Sequence, residues 1–563
     1  MSATATLSIQ LFLNTYYKMA YYISPSQRYI TSYDTANNRL YFNPMLTVCP
    51  PKWTSKVMTA MLVISAVVII LFLYQPLQSE INILLIDADA PPIYKTNERY
   101  LSVALDTSLL ANNFKGFDMR SSKLHMMMLP LGGSYLRIGG TMADRLKFAP
   151  RKAMHDTHFT YEADNGRCVY DGLNCLFSNR PNFTLSRSAW TLLNRLAVLT
   201  NFTILFDLNS LRRTRRGAWD ATNAKSLISF SNQQKFDLIW QLGNEPNAYR
   251  HTFNYEVTGE QLADDFKKLR NILNKYPRYK NSLLVGPDIT KPKLFNEEPR
   301  QFLLDFLIEL DRNVLNAITW HQYYFKGQNA PLSNFLSPDV FDMLEDEITA
   351  IKFVTKQAFN SDLPIWLGES SSAYGGGSAK YSDKFAATFI WLDKLGLAAK
   401  NGIDLIVRQS LFKGHYALLD ENYDPNPDWW VSVIYKKLVG QEVIDCMLRG
   451  NRRVRLYCHC ANKQNGYLNG SALVVFGSNM NYSPALVRLQ EVNSEYQDTL
   501  NFLEFLIQTH ASIVSKDIYL NNELLRMQTN GQLPKFQPRN ITSNIITIPP
   551  YTLGFWLIPV SAC

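Results

Sequence analysis

The sequence predicts an α/β protein: a (β/α)8 TIM barrel followed by a C-terminal β-sandwich and preceded by an N-terminal transmembrane or signal-anchor segment. Three observations carry the prediction. From about residue 100 to 430, short apolar runs alternate with amphipathic stretches, the pattern of strand–helix units around a parallel sheet. After about residue 430 the chain changes to short strands separated by polar turns, with little helix. Near the start, Val57 to Tyr74 runs 18 residues without a charge, about the minimum that spans a bilayer.

The composition agrees with a large globular protein. At 563 residues the chain is too long for one ordinary core. With 46% hydrophobic and 19% charged residues it is too apolar to stay disordered. A net charge of +9 favours polyanionic partners, namely nucleic acid, acidic lipid or sulfated polysaccharide, without choosing among them. Seven cysteines cannot staple a chain this long, and no C-x-x-C pair suggests a zinc ribbon. No metal-ligand spacing, phosphate loop or dinucleotide fingerprint is present, so no cofactor or metal is expected.

Residues 1–56 carry Lys18, Arg28, Arg39, Lys52 and Lys56 against one acid, Asp34, whereas Glu80, Asp87 and Asp89 follow the apolar run before Lys95. The positive-inside rule therefore makes 1–56 a cytosolic tail and 57–74 a membrane segment, with everything beyond it lumenal or extracellular. The segment is either a retained signal anchor or a cleaved signal peptide, which leaves the catalytic part membrane-anchored, secreted or lysosomal. Sequons at Asn182, Asn201, Asn469, Asn481 and Asn540 all lie on the exported side. Cys168 with Cys175, and Cys460 with Cys563, are candidate disulfides that spacing alone does not settle. Residues 81–99 open with INILLID, a strand assigned to the β-sandwich.

The barrel, 100–430, takes its strands from LSVALD (101–106), YLRIGG (135–140), TILFDLN (203–209), FDLIWQLG (236–243), LLVGPD (283–288), AITWHQYY (317–324), LPIWLGE (363–369) and IDLIVRQS (403–410). Most are apolar on both faces, as expected of buried parallel strands. Between them, 261–276 places Leu262, Phe266, Leu269 and Leu273 on one helical face, and 339–359 behaves similarly. Residues 144–182 have weak periodicity and read as a linker-like insertion. In 431–563, VRLYCHC, SALVVFGSN, ALVRLQEV, NIITIPP and TLGFWLIPV read as sandwich strands.

Catalytic groups of such barrels sit at the C-terminal ends of strands. Two glutamates occupy that place: Glu245 in QLGNEPN, ending the fourth strand, and Glu369 in WLGESSSAYGGG, ending the seventh. These strands face one another across the mouth, so the carboxyl groups can approach to about 5 Å, the separation of a retaining glycosidase. A single glutamate ending an apolar strand is ordinarily a solvated loop residue. The pairing of Asn-Glu-Pro with a second Glu three strands later is what points to catalysis.

Those motifs, together with TWHQYY, FIWLDKLGL, DENYDPNPDWW and KKLVG, resemble the animal heparanases, endo-β-glucuronidases of glycoside hydrolase family 79, from about residue 82 to Cys563. The resemblance implies a retaining endo-hydrolase that cleaves heparan sulfate at glucuronic acid linkages. It implies Glu245 as acid/base and Glu369 as nucleophile, Asn244 on the sugar 2-hydroxyl and Tyr323 on the nucleophile. Asp106, Thr141, Gln409 and Tyr416 would line the sugar pocket, and Gly375 and Gly376 would offer backbone N–H groups to the uronate beside Tyr374. Two departures stand out. Gln322 replaces the second histidine of the family's pair, leaving His321 alone as a subsite contact. Lys291 and Lys293 stand where the family offers Gln and Arg, which keeps a charge for sulfate but loses the planar fork.

Arg212, Arg213, Arg215 and Arg216 follow the third strand, and Arg250 follows the fourth, so all five open onto the catalytic face as candidate sulfate contacts. Trp320, Trp366, Trp429 and Trp430 are candidate sugar platforms, with core packing favoured for Trp366. The expected partners are heparan sulfate chains and the membrane. Nucleic acid is not expected, for want of any motif that binds it. The competing readings are a non-catalytic heparan sulfate-binding protein on the same fold and an exo-β-glucuronidase.

Overall fold

The computed structural model describes residues 30–34, 39–42, 81–87, 90–149, 169–171, 174–176, 182–292, 297–311, 313–359, 363–491, 499–528, 531–560 and 563. The chain divides into two units, Met1–Gln78 and Ser79–Cys563. In the first, Ile30–Asp34 pairs antiparallel with Arg39–Phe42. The apolar run 57–74 lies outside the described residues, among which no helix is long and apolar enough to cross a membrane.

The second unit contains a nearly closed eight-stranded parallel barrel. Its strands are β1 (Leu101–Asp106), β2 (Ser134–Gly139), β3 (Phe202–Leu208), β4 (Leu238–Leu242), β5 (Val285–Ile289), β6 (Ala317–Gln322), β7 (Ile365–Ser370) and β8 (Leu405–Arg408). They run in the order β4-β3-β2-β1-β8-β7-β6-β5. The seam between β4 and β5 is bridged at Trp240 and Leu284.

Strand alternation decides what faces the axis. Ala104, Tyr135, Leu205, Ile239, Val285, Ala317, Trp366, Leu405 and Val407 form a buried apolar cluster of their own. Their neighbours in sequence, such as Leu105, Leu136, Ile204, Leu238 and Ile318, belong to the larger cluster shared with the surrounding helices. Two residues beyond the apolar plug, on the same face of each strand, stand Asp106, Arg137, Asp207, Gln241 and Thr319. The strands are therefore buried on both faces, but the inner face turns polar toward their C-terminal ends.

The helix Gly259–Leu273 buries Leu262, Phe266, Leu269 and Leu273 completely. Thr258 caps its N-terminus by accepting from the Gln261 N–H, relieving one unpaired donor of the first turn.

Beyond the barrel lie two further sheets. A nine-stranded sheet is built around Val439–Ile444, Val454–Ala461, Ala472–Asn479, Thr552–Pro559 and Leu500–Gln508. A four-stranded sheet runs Cys446–Arg449, Asn82–Ile86, Ala485–Glu491, Ile545–Ile548. Leu473, Val475, Leu506, Trp556 and Ile558 of the larger sheet share a buried cluster with Leu84, Ile86, Val487 and Ile546 of the smaller. The alternate residues Val474, Phe476, Phe505, Phe555 and Leu557 face the barrel's helices instead. The stretch before the barrel thus threads the C-terminal sheets first: Asn82–Ile86 pairs with Ala485–Glu491 and Cys446–Arg449, and Tyr94–Lys95 pairs with Val439–Ile444.

Two sequence expectations need correction. The insertion is shorter than 144–182: Thr141–Arg145 is a 3-10 turn, and Leu146–Phe148 pairs parallel with Phe183–Leu185, because both runs bury apolar side chains beside the barrel. Trp320, Trp429 and Trp430 are buried and cannot offer a ring face to a sugar, and Trp366 is buried too, in keeping with the core packing favoured for it. Trp366 stacks on Tyr135 inside the barrel, and its indole N–H donates to Asp404.

Candidate active site

Glu245 ends the segment after β4 in the left-handed region, at φ 53°. That conformation is costly for a residue with a side chain. It is held by the Glu245 N–H donating to the Asp288 carbonyl at 3.0 Å and by the 3-10 turn Pro246–Ala248 that follows. The Glu245 side chain is 31% exposed, and its Oε1 lies 2.9 Å from His321 Nδ1. Glu369 is more enclosed, at 12% exposure. Its Oε1 accepts from the Tyr323 hydroxyl at 2.7 Å and its Oε2 from Arg137 Nη1 at 2.7 Å.

Between the two glutamates runs a buried ionic network. Arg137, fully enclosed on β2, donates to Gln241 Oε1 at 3.0 Å, Asn244 Oδ1 at 2.9 Å, Asp288 Oδ2 at 2.5 Å and Glu369. His321 Nε2 lies 3.0 Å from the same Asp288 oxygen. Asp288 reaches inward because it is the extra residue of a bulge in β5, at φ 60°, which re-aims its side chain. Opposite it, β7 carries Gly368, where a Cβ would stand 2.5 Å from Asp288 Oδ1. A glycine is what lets the Asp288 carboxylate approach the β7 backbone there.

The charges divide cleanly. Burial would raise the Glu369 carboxyl, but the cations His321 and Arg137 outweigh it and hold it below its ordinary value. Burial would likewise discharge His321, yet Asp288 and Glu369 push it up to about 10. The imidazole is therefore a cation at neutral pH and donates to Glu245. Asp288 is held well down against its burial by Arg137 and His321. Asp207, whose oxygens have no hydrogen-bond partner among the described residues and whose Oδ2 lies 3.9 Å from Arg137 Nη2, is driven well up by burial and by Asp144. Asp144 itself accepts the N–H groups of Ser210 and Asn244, both at 2.9 Å, pinning the Asn-Glu turn from below.

The fold brings several expected pocket residues to the same mouth. Gln409 donates to Asp106 at 3.0 Å, and Asp106 also caps the turn at Ser108. Tyr416 stacks on Tyr323, with ring centres 6.4 Å apart. Thr141 starts the turn directly after β2. Asn244 has its Oδ1 taken by Arg137, which leaves Nδ2 as its donor. Tyr374 is exposed, and Gly375 and Gly376 lie at φ 77° and 84° with open space where their Cβ atoms would be.

Other expectations do not assemble. Lys291 turns inward, donating to the Tyr323 carbonyl at 2.7 Å and pairing with Glu347 at 2.8 Å. Lys293 lies outside the described residues. Arg213 is buried against Asp265, and Arg212 lies 3.5 Å from Asp220, so neither offers a free charge. Arg215 and Arg216 are exposed, as is Arg250, which lies 4.0 Å from Glu256. Cys460 is bonded to Cys563, and a second bridge, Cys446–Cys458, went unforeseen. Cys168 lies outside the described residues. Asn481 is buried with its amide donating to Asn479, which leaves a glycan no room; Asn201, Asn469 and Asn540 are exposed and Asn182 is half-buried.

The network residues Arg137, Gln241, Asp288 and Asp207 went unnoticed in the sequence. For Arg137, Asp207 and Gln241 the pattern is a charged or amide side chain two places beyond an inward apolar residue, near the end of an apolar run; Asp288, on a bulge, breaks that pattern.

The chain is similar to known proteins. Residues 107–396 match the family model described as glycosyl hydrolase family 79, N-terminal domain. The chain is 32% identical over 497 residues to heparanase of Gallus gallus, covering 83% of this chain and 93% of that one. It is 29% identical over 536 residues to a Mus musculus protein named inactive heparanase-2, covering 85% and 89%. Among solved structures, a 4-O-α-L-rhamnosyl-β-D-glucuronidase from Fusarium oxysporum superposes with a TM-score of 0.59 at 13% identity, covering 84% of this chain and 100% of that one. At that identity the likeness speaks for the fold.

Proposed function

Since the chain belongs to glycosyl hydrolase family 79 and is a heparanase-type glycoside hydrolase, we propose that it is a retaining endo-β-glucuronidase that cuts heparan sulfate at internal glucuronic acid linkages. The observation that carries the mechanism is the unequal treatment of the two glutamates. Glu369 is enclosed and held ionised by Arg137, His321 and Tyr323, as a nucleophile must be. Glu245 is more open, at 31% exposure, and the His321 contact engages its Oε1.

In the first step a Glu369 oxygen bonds to the anomeric carbon as the glycosidic C–O bond breaks, and the Glu245 proton passes to the leaving oxygen. In the second, water loses a proton to Glu245 and its oxygen displaces Glu369. The Asn244 amide donates to the sugar 2-hydroxyl. Asp106, Thr141, Gln409 and Tyr416 shape the pocket, and the Gly375–Gly376 backbone beside Tyr374 takes the uronate. With Arg212 and Arg213 committed to carboxylates, sulfate attraction falls to Arg215, Arg216 and Arg250.

We further read the two C-terminal sheets as a β-sandwich, residues 57–74 as a membrane segment, and the catalytic part as exported. One relative named inactive, at 29% identity, keeps a second reading open, that of a non-catalytic heparan sulfate-binding protein.

Size-exclusion analysis of heparan sulfate after incubation with the full chain, beside Glu369→Gln, separates the readings. Shortened chains from the wild type alone support the proposal. Release of single terminal residues makes the enzyme exo-acting. Intact polymer that co-elutes with protein favours the non-catalytic reading.

A further inference from the structure

The sequence offered Lys291 as a contact for substrate sulfate, but its surroundings describe another task. The ammonium sits just beyond β5 and donates to the Tyr323 carbonyl at 2.7 Å. It also pairs at 2.8 Å with Glu347, whose side chain is 4% exposed on the helix Pro338–Phe359. The second Glu347 oxygen accepts from Gln322 Nε2 at 3.0 Å. Gln322 Oε1 accepts from Lys394 at 2.6 Å, and Lys394, 1% exposed, also donates to Ser370 Oγ at 2.6 Å and the Ser371 carbonyl at 2.7 Å. The chain of contacts joins the ends of β5, β6 and β7 to two outer helices.

What it grips is the segment 321–323. His321 holds Glu245 and Tyr323 holds Glu369, so this short stretch orients both glutamates at once. Gln322 between them points the other way, as strand alternation requires, into the Lys291–Glu347–Lys394 bracket. An ammonium already neutralised by a buried carboxylate presents little net charge to a sulfate. A backbone clamp behind the nucleophile's hydrogen-bond donor, by contrast, needs the partners Lys291 has.

We propose that Lys291 and Glu347 are positioning residues, which clamp the 321–323 segment through the Tyr323 carbonyl and Gln322 and so aim Tyr323 at Glu369 and His321 at Glu245. The inference rests on the endo-glucuronidase reading for its kinetics. Misplacing a catalytic group by about 1 Å costs about 10- to 100-fold in rate.

Rates on heparan sulfate with full-length Lys291→Met should therefore show kcat lowered about 10- to 100-fold with KM within about twofold. Lys291→Arg keeps both contacts and should restore kcat to within about threefold, and Glu347→Gln should follow Lys291→Met. A rise in KM with kcat intact would make Lys291 a sulfate contact and overturn the proposal. So would unchanged kinetics, or an arginine variant as poor as the methionine. Crystal structures of wild type and Lys291→Met give a readout that needs no activity. The clamp requires the Tyr323–Glu369 hydrogen bond to open in the variant, and its persistence would refute it. Should the wild type leave every glucuronide polymer intact, the functional reading fails while the crystal comparison still decides the clamp. If Lys291→Met does not fold, Lys291→Arg and Glu347→Gln carry the decision.

Discussion

Arg137 is the residue on which the site's electrostatics turn. Its guanidinium is fully enclosed and serves Gln241, Asn244, Asp288 and Glu369 together. Removing one member of a buried ionic set strands the others and costs about 3–5 kcal/mol. Arg137→Met should thus lower stability by about that much in urea unfolding, and lysine should rescue poorly because it lacks the planar fork. His321 makes a pH prediction. Its charged form is favoured in the folded state, with the pKa raised from 6.5 to about 10. The stability it contributes is full below about 6.5 and is lost as pH rises through about 10. Melting temperatures of wild type and His321→Gln should therefore differ most at pH 6 and converge by pH 10; a gap independent of pH would sink the assignment. Glu369, with its pKa lowered, behaves oppositely, contributing above its ordinary 4.5 and losing that contribution as pH falls. Both glutamates were legible in the sequence because each ends an apolar strand within a distinctive motif. Arg137 was not, since one arginine inside YLRIGG gives no hint of which strands converge on it.

At the scale of the element, bulges rather than regular strand do the aiming. The register slips in β5 after Pro287 and between β6 and β7 beside Gly368. These slips turn Asp288 and Glu369 toward the mouth when strict alternation would send one of each neighbouring pair outward. Gly368→Ala would force a Cβ to within 2.5 Å of Asp288 Oδ1. Displacing that carboxylate should lower kcat about tenfold or more while leaving the far-UV spectrum intact. The eight strands and the helix near 261–276 were legible because burial imposes its own periodicity. Bulges leave no such trace, since a slip of one residue is invisible in hydropathy. The two disulfides also act at this scale. Cys446–Cys458 closes a separation of 12 and Cys460–Cys563 one of 103. Chain entropy assigns them about 3 and about 4.7 kcal/mol, so Cys460→Ser should lower the denaturation midpoint more than Cys458→Ser.

For the whole molecule, the barrel and the C-terminal sheets are one packed unit. The nine-stranded sheet is buried on both faces, against the barrel's helices on one side and the four-stranded sheet on the other. The exported state proposed above predicts glycans at the exposed Asn201, Asn469 and Asn540 and none at the buried Asn481. Glycopeptide mass spectrometry of protein from a secretory host checks this, and an occupied Asn481 would contradict the packing there. The succession of barrel strands, the alternation of helices and the two glutamates proposed as catalytic were legible in the sequence alone, because each is written in local periodicity or in a contiguous motif. The tertiary structure alone decided where the charges go. It turned Lys291 and Arg213 from candidate sulfate contacts into partners of buried carboxylates, and set Arg212 beside Asp220 nearer the surface. It also gathered Arg137, Asp288 and His321, from three different strands, into one network. The reason is physical: the partner that neutralises a buried charge lies far away in sequence, and only folding brings the two within reach.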